Sequence, residues 1–242
     1  MKAAIIIPAR LQSTRLARKL LLDLAGKSVL NRTFEQALKA MRADSIAIAT
    51  DAEEIFDAAR SFGARAIMTR SDHQSGTERI AEAARSIDAD IFVNIQGDEP
   101  EIDPHQIDAL IETQITANRF ASTLACPFPA DIDPAYPAAV KATPGKEIDR
   151  DLKIFEAKDF SRIPPAERPL FLHVGAYAYS RESLERFVAA SRGLRERAES
   201  LEQLRILEMG ETIAIRIVDH ATRGIDTQQD LDAARQRLAA KS

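Results

Sequence analysis

The chain has 242 residues, of which 45 % are hydrophobic and 29 % are charged, a composition that supports a globular core. Its formal net charge is −4, which argues against general binding to nucleic acid or to an anionic membrane surface. The single cysteine, Cys126, excludes an intrachain disulfide, and no apolar run reaches the roughly 18 residues of a membrane span. We therefore expect a cytoplasmic protein, with Cys126 as a small buried hydrophobe on a strand.

The first half of the chain alternates short apolar runs with amphipathic helical patterns. The apolar runs predict strands over residues 3–7, 45–49, 66–68 and 91–95. The helical periodicity predicts helices over residues 28–41, 53–62, 77–87 and 104–117. Strands that are apolar on both faces and separated by helices form parallel sheets, so we expect a three-layer α/β fold with a mostly parallel sheet. Ligands of such sheets bind beyond the carboxyl ends of the strands.

The second half is less regular. Prolines at positions 127, 129, 134, 137 and 144 predict a segment that crosses the surface without regular structure. Further strands are predicted over residues 172–179 and 212–218, and further helices over residues 200–209 and 228–239. No repeat, linker or low-complexity segment divides the chain. We expect a single domain over residues 1–242, with a small subsidiary lobe from the middle region.

A basic loop follows the first predicted strand, with the cations Arg10, Arg15, Arg18 and Lys19. Guanidinium groups bind phosphate oxygens through a planar fork of donors, and lysine adds a mobile point charge. These cations suit a nucleoside triphosphate, whose departing pyrophosphate must be stabilised. The loop has no glycine before Gly26, so it is neither a P-loop nor a dinucleotide-binding fingerprint. The alternative is a solvated basic loop.

Carboxylates stand at two predicted junctions between strand and helix. Asp98 and Glu99 come directly after Gly97 at the end of a predicted strand, and Asp226 precedes the last predicted helix. Carboxylate oxygens suit Mg²⁺, which needs few protein ligands when phosphates supply the rest. We expect Asp98 and Asp226 to converge on Mg²⁺. The alternatives are a simple turn at Asp98 and a helix cap at Asp226.

Other polar groups stand in less specific contexts. The turn from Ser75 to Arg79 offers backbone donors and an arginine to a base or a ribose, and the alternative is an ordinary helix start. His173 lies in a strand pattern and is either a site residue or a structural histidine. Glu202 and Gln203 lie in a predicted helix and are either site residues or part of a solvated helix face.

These segments occur together in the order of one known family. In chain order they read IPARxxSTRLxxK, TD, SGTER, VNxQGDEP, HVGAYAY, ESLEQLRxLExG and GIDT. The chain resembles the 3-deoxy-manno-octulosonate (KDO) cytidylyltransferases from residue 3 to about residue 235. The combination of motifs is specific to this family, whereas no single motif is.

The resemblance implies a nucleotidyltransferase (Rossmann-like) fold and the Mg²⁺-dependent transfer of CMP from CTP to KDO, with release of pyrophosphate, for lipopolysaccharide assembly. It also implies a homodimer, and apolar positions expected to be exposed in residues 172–179 and in the helix after Ser200 suggest a paired surface. It assigns catalysis to Lys19, Asp98 and Asp226, with the two aspartates as metal ligands. The residues that it assigns to the nucleotide are Arg10, Ser13, Arg15, Lys19, Ser75 and Arg79. The residues that it assigns to the sugar acid are Gln96, Arg162, His173, Tyr177, Glu202 and Gln203.

Two segments depart from the family pattern. The family usually reads Arg-Leu-Pro-Gly-Lys-Pro in the first loop, where this chain has Ala17 and Arg18 before Lys19. The change alters the stiffness of the loop and adds a charge. The family also tends to read Tyr-Phe-Ser-Arg followed by Pro-Ile-Pro, where residues 158–165 of this chain read KDFSRIPP. This second change is expected to reshape the sugar pocket.

Three alternative functions differ from this one in what they require of the sequence. A cytidylyltransferase for a related sugar acid, 8-amino-KDO or a sialic acid, differs only in pocket contacts that the sequence separates poorly. A glycosyltransferase has less need of the cationic loop, because a diphosphate sugar carries less charge than a triphosphate. A binding protein without turnover is expected to have lost Lys19, Asp98 or Asp226, and all three are present.

Overall fold

The structure, a computed structural model, describes residues 1–13, 15–166 and 168–240. It divides into two compact units: unit 1 comprises Met1–Asp108 and Thr222–Ser242, and unit 2 comprises Ala109–Ala221. The middle of the chain thus forms unit 2, and the expectation that both units make a single domain remains a prediction. No described helix combines the length and the apolar character needed to span a membrane.

The described strands and helices extend along the whole chain. The strands are β1 (Ala3–Ala9), β2 (Ser45–Thr50), β3 (Arg65–Met68), β4 (Ile91–Asn94), β5 (Ala121–Pro127), β6 (Lys141–Asp149), β7 (Ile154–Ser161), β8 (Phe171–Ser180) and β9 (Ile213–Ile217). The α-helices are α1 (Val29–Ala37), α2 (Glu53–Ser61), α3 (Gly76–Ala84), α4 (Pro104–Ala117), α5 (Arg181–Ala189), α6 (Leu194–Glu199), α7 (Gln203–Glu208) and α8 (Gln228–Ala239). A short 3-10 helix covers Lys19–Leu21.

Unit 1 contains a parallel sheet with the strand order β3-β2-β1-β4. β1 lies between β2 and β4, so that Ile5 pairs with Ile46 on one side and with Val93 on the other. Every residue of β1 is buried, as expected for a strand that is covered on both faces. The prediction of an α/β fold with a mostly parallel sheet is confirmed.

Local signals set the helix ends of unit 1. The side chain of Ser28 accepts a hydrogen bond from the backbone N–H of Asn31 and caps α1, which buries Val29, Leu30 and Phe34. α1 ends at Ala37, earlier than the predicted end at residue 41. α2 stops before Gly63, whose φ of 84° is the left-handed conformation that ends many helices.

Unit 2 is built mainly from antiparallel pairs. Its strands follow the order β8-β5-β9-β7-β6, and β6 also pairs with β8. The β5–β9 pair is parallel, whereas the β5–β8, β6–β7, β7–β9 and β6–β8 pairs are antiparallel. Cys126 is fully buried on β5, and burial raises the pKa of its thiol to about 11. The expectation of a small, buried cysteine on a strand is confirmed.

The prediction of a segment without regular structure around the prolines is wrong at Pro127 and Pro144, which lie in β5 and β6. Pro127 occupies the last position of β5, where a missing N–H is tolerated. Pro144 lies inside β6, at a position where the pairing with β7 shifts register. The shift interrupts the regular ladder where proline has no hydrogen to donate. These two prolines therefore lie at a strand end and at a register shift, and the chain around them is still extended.

Two other expectations for unit 2 need correction. The helix predicted over residues 200–209 is shorter in the structure, where α7 covers Gln203–Glu208. Ser200 adopts a left-handed conformation with φ 52° and ends the preceding helix, α6. The apolar side chains of β8 are not exposed: Leu172 and Val174 are buried within the chain itself. The argument for a homodimer from exposed apolar positions on β8 is therefore wrong.

Candidate active site

A cluster of charges forms at the carboxyl ends of the strands of unit 1. The Lys19 ammonium contacts the Asp98 carboxylate and lies 2.9 Å from Asp226 Oδ1. Arg15 Nη2 also lies 2.9 Å from Asp226 Oδ1. Burial opposes the positive charge of Lys19, but the two carboxylates outweigh it and raise the pKa of the ammonium. Asp98 and Asp226, which are predicted to converge on Mg²⁺, thus both contact Lys19, and their role as metal ligands stays a prediction.

The backbone fixes the position of Asp98. Gly97 precedes it at a point where a Cβ atom would lie 3.2 Å from the Pro8 carbonyl oxygen and 3.3 Å from Leu30 Cδ1. Only a residue without a side chain fits this approach without displacement. The Thr33 hydroxyl of α1 donates a 2.9 Å hydrogen bond to the Gly97 carbonyl. The strand end and α1 therefore hold the turn that presents Asp98.

A second backbone contact brings Asp226 to Asp98. The N–H of Ile225 donates a 2.8 Å hydrogen bond to the Asp98 carbonyl oxygen. Thr227 is the N-cap of α8, and its side chain and that of Asp230 form a capping box. The alternative that the Asp226 side chain caps this helix is therefore wrong. The Asp226 carboxylate is left to contact the cations of the first loop.

The carboxylate next to Asp98 has a different environment. Glu99 accepts a 3.3 Å hydrogen bond from the Thr222 hydroxyl. Burial and the neighbouring Asp98 charge raise the pKa of Glu99 to about 8. Asp98 contacts a cation, whereas Glu99 contacts a neutral hydroxyl.

The donor set of this cluster fits a magnesium ion that takes most of its ligands from phosphate and water. Among the described residues, no group of three or more His, Cys, Asp and Glu side chains forms a complete cage for a metal. Asp98 and Asp226 both contact the single ammonium of Lys19, so their oxygens converge on one point. Mg²⁺ is commonly bound by one or two carboxylates together with substrate phosphates.

Arg79 has a structural environment. It is fully buried, its Nη1 donates to the Thr69 hydroxyl, and its Nη2 lies 3.0 Å from Asp51 Oδ2. The Arg79 side chain thereby links α3 to the segments that follow β2 and β3. Ser75 is the N-cap of α3 and accepts a hydrogen bond from the N–H of Glu78. This geometry matches the ordinary helix start and gives no support to a base or ribose contact by the Arg79 side chain.

The other unit 1 residues of the predicted site lie near the same strand ends. Arg10 directly follows β1, and its buried Nη2 has no hydrogen-bond partner among the described residues. Ser13 is half-buried in the same loop. Gln96 Nε2 donates to Asn94 Oδ1 and would lie 3.8 Å from a Cβ atom on Gly76. Gln96, which the resemblance assigned to the sugar acid, is thus beside the start of α3.

The aromatic face of unit 2 surrounds His173. The His173 ring lies edge-on to Phe160 at 5.1 Å and next to Tyr177 at 5.5 Å between ring centroids. Burial lowers the pKa of His173 to about 3, so the imidazole is neutral. Burial, and then the nearby Tyr179 and Glu202, raise the pKa of Tyr177 well above its usual value. Both side chains can therefore offer only neutral hydrogen bonds at physiological pH.

Gln203 begins α7 in the same unit. It is almost completely buried, and its Nε2 has no hydrogen-bond partner among the described residues. A buried amide nitrogen without an acceptor is costly, which makes it a candidate for contact with a ligand. The alternative of a solvated helix face is wrong for Gln203.

Arg162 is engaged by the backbone of its own unit. Its guanidinium donates to the carbonyl oxygens of Pro137 and Glu199 at 2.7 Å each, and to that of Ser200 at 3.4 Å. These bonds tie the end of β7 to the turn between α6 and α7. The geometry favours a structural role and gives no support to a salt bridge between Arg162 and a sugar carboxylate.

Comparison with known proteins identifies the family. A family model described as cytidylyltransferase matches residues 4–213. The 3-deoxy-manno-octulosonate cytidylyltransferase of Chelativorans sp. (strain BNC1) is 42 % identical over 250 residues, which cover 100 % of this chain and 99 % of that protein. The protein of the same name from Chlorobium limicola is 44 % identical over 250 residues, with 98 % of each chain covered. The chain belongs to the 3-deoxy-manno-octulosonate cytidylyltransferase family.

The structural comparison agrees with this family. The solved structure of a CMP:2-keto-3-deoxy-manno-octonic acid synthetase in complex with CTP superposes with a TM-score of 0.90 at 35 % identity, over 100 % of both chains. A 4-diphosphocytidyl-2C-methyl-D-erythritol synthase from Anaerococcus prevotii shares the fold alone, with a TM-score of 0.64 at 14 % identity. The fold predicted from the sequence is therefore that of the 3-deoxy-manno-octulosonate cytidylyltransferases.

Arg18 marks a departure from the usual family sequence. It stands where the 3-deoxy-manno-octulosonate cytidylyltransferases usually have glycine, and its φ of 54° and ψ of 27° are left-handed. A residue with a Cβ atom costs roughly 1–2 kcal/mol in this conformation, whereas glycine adopts it freely. The Arg18 guanidinium contacts the Glu54 carboxylate of α2, a contact that glycine does not make. The backbone conformation next to Lys19 is therefore compatible with the family glycine.

Sequence reasoning assigned no role to several residues of the site. Asp51 and Thr69 hold Arg79, and Thr123 contacts His173 at 3.0 Å. A signal existed for Asp51, because it belongs to the TD motif at the end of a predicted strand. No signal existed for Thr123, because no strand was predicted around it.

Proposed function

We propose that the protein transfers CMP from CTP to KDO and releases pyrophosphate. The observation that carries the proposal is the cluster of Lys19, Asp98 and Asp226 at the strand ends of unit 1, in a chain of this family. The anomeric hydroxyl oxygen of KDO attacks the α-phosphorus of CTP. The bond from that phosphorus to the bridging oxygen of pyrophosphate breaks, and the hydroxyl proton is released.

The chain's own cations bind the triphosphate in this proposal. Arg15 and Lys19 present their charges at the cluster, and Arg10 contributes a buried Nη2 without a hydrogen-bond partner among the described residues. Asp98 and Asp226 would hold Mg²⁺, which would supply charge neutralisation to the triphosphate. Lys19 offsets the repulsion between the two carboxylates, and its positive charge stabilises the negative charge that develops on the departing pyrophosphate.

The neutral groups of unit 2 contact the sugar acid in this proposal. KDO carries several hydroxyl groups, which need directional partners. The imidazole of His173 and the unbonded Nε2 of Gln203 supply such partners, and the Tyr177 hydroxyl stays protonated because burial raises its pKa. Arg162 holds the turn before α7 and thereby supports Gln203.

A pyrophosphate-release assay tests the proposal. CTP, UTP, ATP and GTP are each combined with a panel of sugar acids that includes KDO, 8-amino-KDO and sialic acid. We expect turnover with CTP and KDO, and much slower turnover with the purine triphosphates. Equal rates with ATP would refute the base preference, and a faster reaction with 8-amino-KDO or sialic acid would reassign the acceptor to a related sugar acid.

Variants of unit 2 test the sugar contacts separately. His173→Ala and Gln203→Ala each remove a neutral hydrogen-bonding group, so each should raise the KM for the sugar acid by roughly 2- to 12-fold. The KM for CTP should stay unchanged. An equal rise of both KM values, or a loss of thermal stability with unchanged kinetics, would assign these residues to structure.

We also propose that the enzyme is a cytoplasmic homodimer whose product serves lipopolysaccharide assembly. Support comes from the family resemblance alone, because the apolar side chains of β8 are buried within the chain. Light scattering at working concentration tests the assembly. The mass of a dimer is expected, and the mass of a monomer, 26.7 kDa, would refute the proposal.

A further inference from the structure

The strand pairing around His173 contains a bulge. Thr123 of β5 pairs with Tyr177 of β8, whereas the next residue of β5, Leu124, pairs with Val174. Residues 175–176 of β8 therefore have no partner on β5 in this register. The irregularity bends β8 so that several of its polar atoms approach one side chain of β5.

That side chain is Thr123, which is completely buried. Its Oγ1 lies 2.8 Å from the Ala176 carbonyl oxygen, 3.2 Å from the Val174 carbonyl oxygen and 3.0 Å from His173 Nε2. All three distances are within hydrogen-bonding range. The bulge thus gives one hydroxyl group two carbonyl neighbours and one imidazole neighbour.

Hydrogen counting decides the direction of each bond. A threonine hydroxyl has one proton and two lone pairs, and a carbonyl oxygen only accepts. The Thr123 proton must therefore point to a carbonyl oxygen, and the Ala176 oxygen is the nearer. If His173 Nε2 were an acceptor, the Thr123 proton would have to point at the imidazole, which would leave Thr123 Oγ1 2.8 Å from the Ala176 carbonyl oxygen with no hydrogen between them, an unfavourable contact. Thr123 Oγ1 accordingly accepts from His173 Nε2, which must carry the hydrogen.

The second ring nitrogen follows from the first. A neutral imidazole has one N–H, so a hydrogen on Nε2 leaves Nδ1 with a lone pair. Burial favours the neutral ring, which lies next to the rings of Phe160 and Tyr177. In the described part of the chain, no donor is hydrogen-bonded to Nδ1. The ring therefore presents a bare acceptor.

We propose that Thr123 is a positioning residue that holds His173 in its Nε2–H tautomer, so that Nδ1 accepts a hydrogen bond from a hydroxyl group of the acceptor substrate. The tautomer of His173 is inferred from the hydrogen-bond geometry, and the contact of Nδ1 with the acceptor substrate rests on the proposed function. A side chain of the same shape without a hydroxyl removes the constraint, and a serine preserves it.

The tautomer is measured directly by ¹⁵N NMR of the histidine rings. His173→Gln assigns the signal, since the chain has 4 histidines. We expect the Nε2–H tautomer in the wild type and in Thr123→Ser, and a mixture of tautomers in Thr123→Val. An Nδ1–H tautomer or an imidazolium in the wild type at neutral pH would overturn the role of Thr123, whether or not any variant folds.

Steady-state kinetics tests the contact of Nδ1 with the acceptor substrate. Thr123→Val should raise the KM for KDO by roughly 2- to 12-fold and leave the KM for CTP unchanged, and Thr123→Ser should stay near the wild type. A mixed tautomer in Thr123→Val with an unchanged KM for KDO would overturn the acceptor role of Nδ1. Absence of turnover by the wild type with any sugar acid would refute the proposed function, while the NMR result would still decide the role of Thr123.

Discussion

The left-handed conformation of Arg18 makes a prediction whose sign is unusual. Replacement of a residue by glycine normally destabilises a protein, because the unfolded chain gains freedom. At Arg18 the native φ of 54° reverses this expectation. We compare Arg18→Gly with Arg18→Ala, because both variants lose the contact with Glu54 and differ only in the Cβ atom.

The magnitude follows from two opposing contributions. Removal of the Cβ atom relieves roughly 1–2 kcal/mol of left-handed strain, and the added freedom of the unfolded glycine chain costs about 0.5–1 kcal/mol. Arg18→Gly should therefore be more stable than Arg18→Ala by about 0.5–1 kcal/mol. The lost ion pair, whose side chains are 59 % and 44 % exposed, contributes at most about 1 kcal/mol and affects both variants equally.

Urea unfolding gives the free energy of each variant, and the difference corresponds to roughly 1–4 °C in Tm for a protein of this size. Arg60, an exposed residue in the helix α2, provides the matched control, because its conformation is right-handed. There the order should invert, with Arg60→Gly less stable than Arg60→Ala by about 0.5–1 kcal/mol. An Arg18→Gly variant no more stable than Arg18→Ala would refute the strain argument.

Three further predictions concern the site. Asp98→Asn and Asp226→Asn should each lower kcat/KM by at least about 100-fold with the fold retained by circular dichroism, because each removes a charge that we propose binds Mg²⁺, and near-normal activity of either would contradict its proposed metal role. Gly97→Ala should cost about 1–3 kcal/mol in urea unfolding and reduce kcat, because the new Cβ would lie 3.2 Å from the Pro8 carbonyl oxygen; wild-type values would show that the turn adapts. The pKa of His173 is about 3 in the folded protein and 6.5 in the unfolded chain, so the unfolded state binds more protons between these pH values. The free energy of unfolding should therefore fall as the pH drops through this range, by up to about 1.4 kcal/mol per pH unit. His173→Gln should flatten this slope, and an unchanged slope would contradict the buried neutral ring.

The sequence predicted the parallel half of the fold well for physical reasons. A strand such as β1 is continuously apolar, and this pattern distinguishes it from the amphipathic helices that follow. The rule that ligands bind at the carboxyl ends of strands pointed to Asp98 and to the loop that carries Lys19. The resemblance supplied Asp226, whose alternative as a helix cap only the structure removed.

The antiparallel half was harder, because its strands lack a local signature. β6 contains proline, glycine and charged residues, so its extended form depends on pairing with β7 and β8. The sequence also shows where the arginines are, but it does not show which acceptors their guanidinium groups contact. Arg79 binds Asp51 and Thr69, and Arg162 binds backbone carbonyls, through contacts that exist only after folding.

The ion pair between Lys19 and Asp226 joins residues that are 207 positions apart in the chain. At the roughly 5–20 residues per second of protein synthesis, Asp226 is made about 10–40 s after Lys19. From the synthesis of Asp98 until that of Asp226, the growing chain carries the basic loop and the first carboxylate, but lacks the second. Closing so long a loop is also slow, because its entropic cost precedes the contacts that offset it. The nascent polypeptide therefore lacks the pair of carboxylates around Lys19, and the charge cluster is completed late, when unit 2 has already been synthesised.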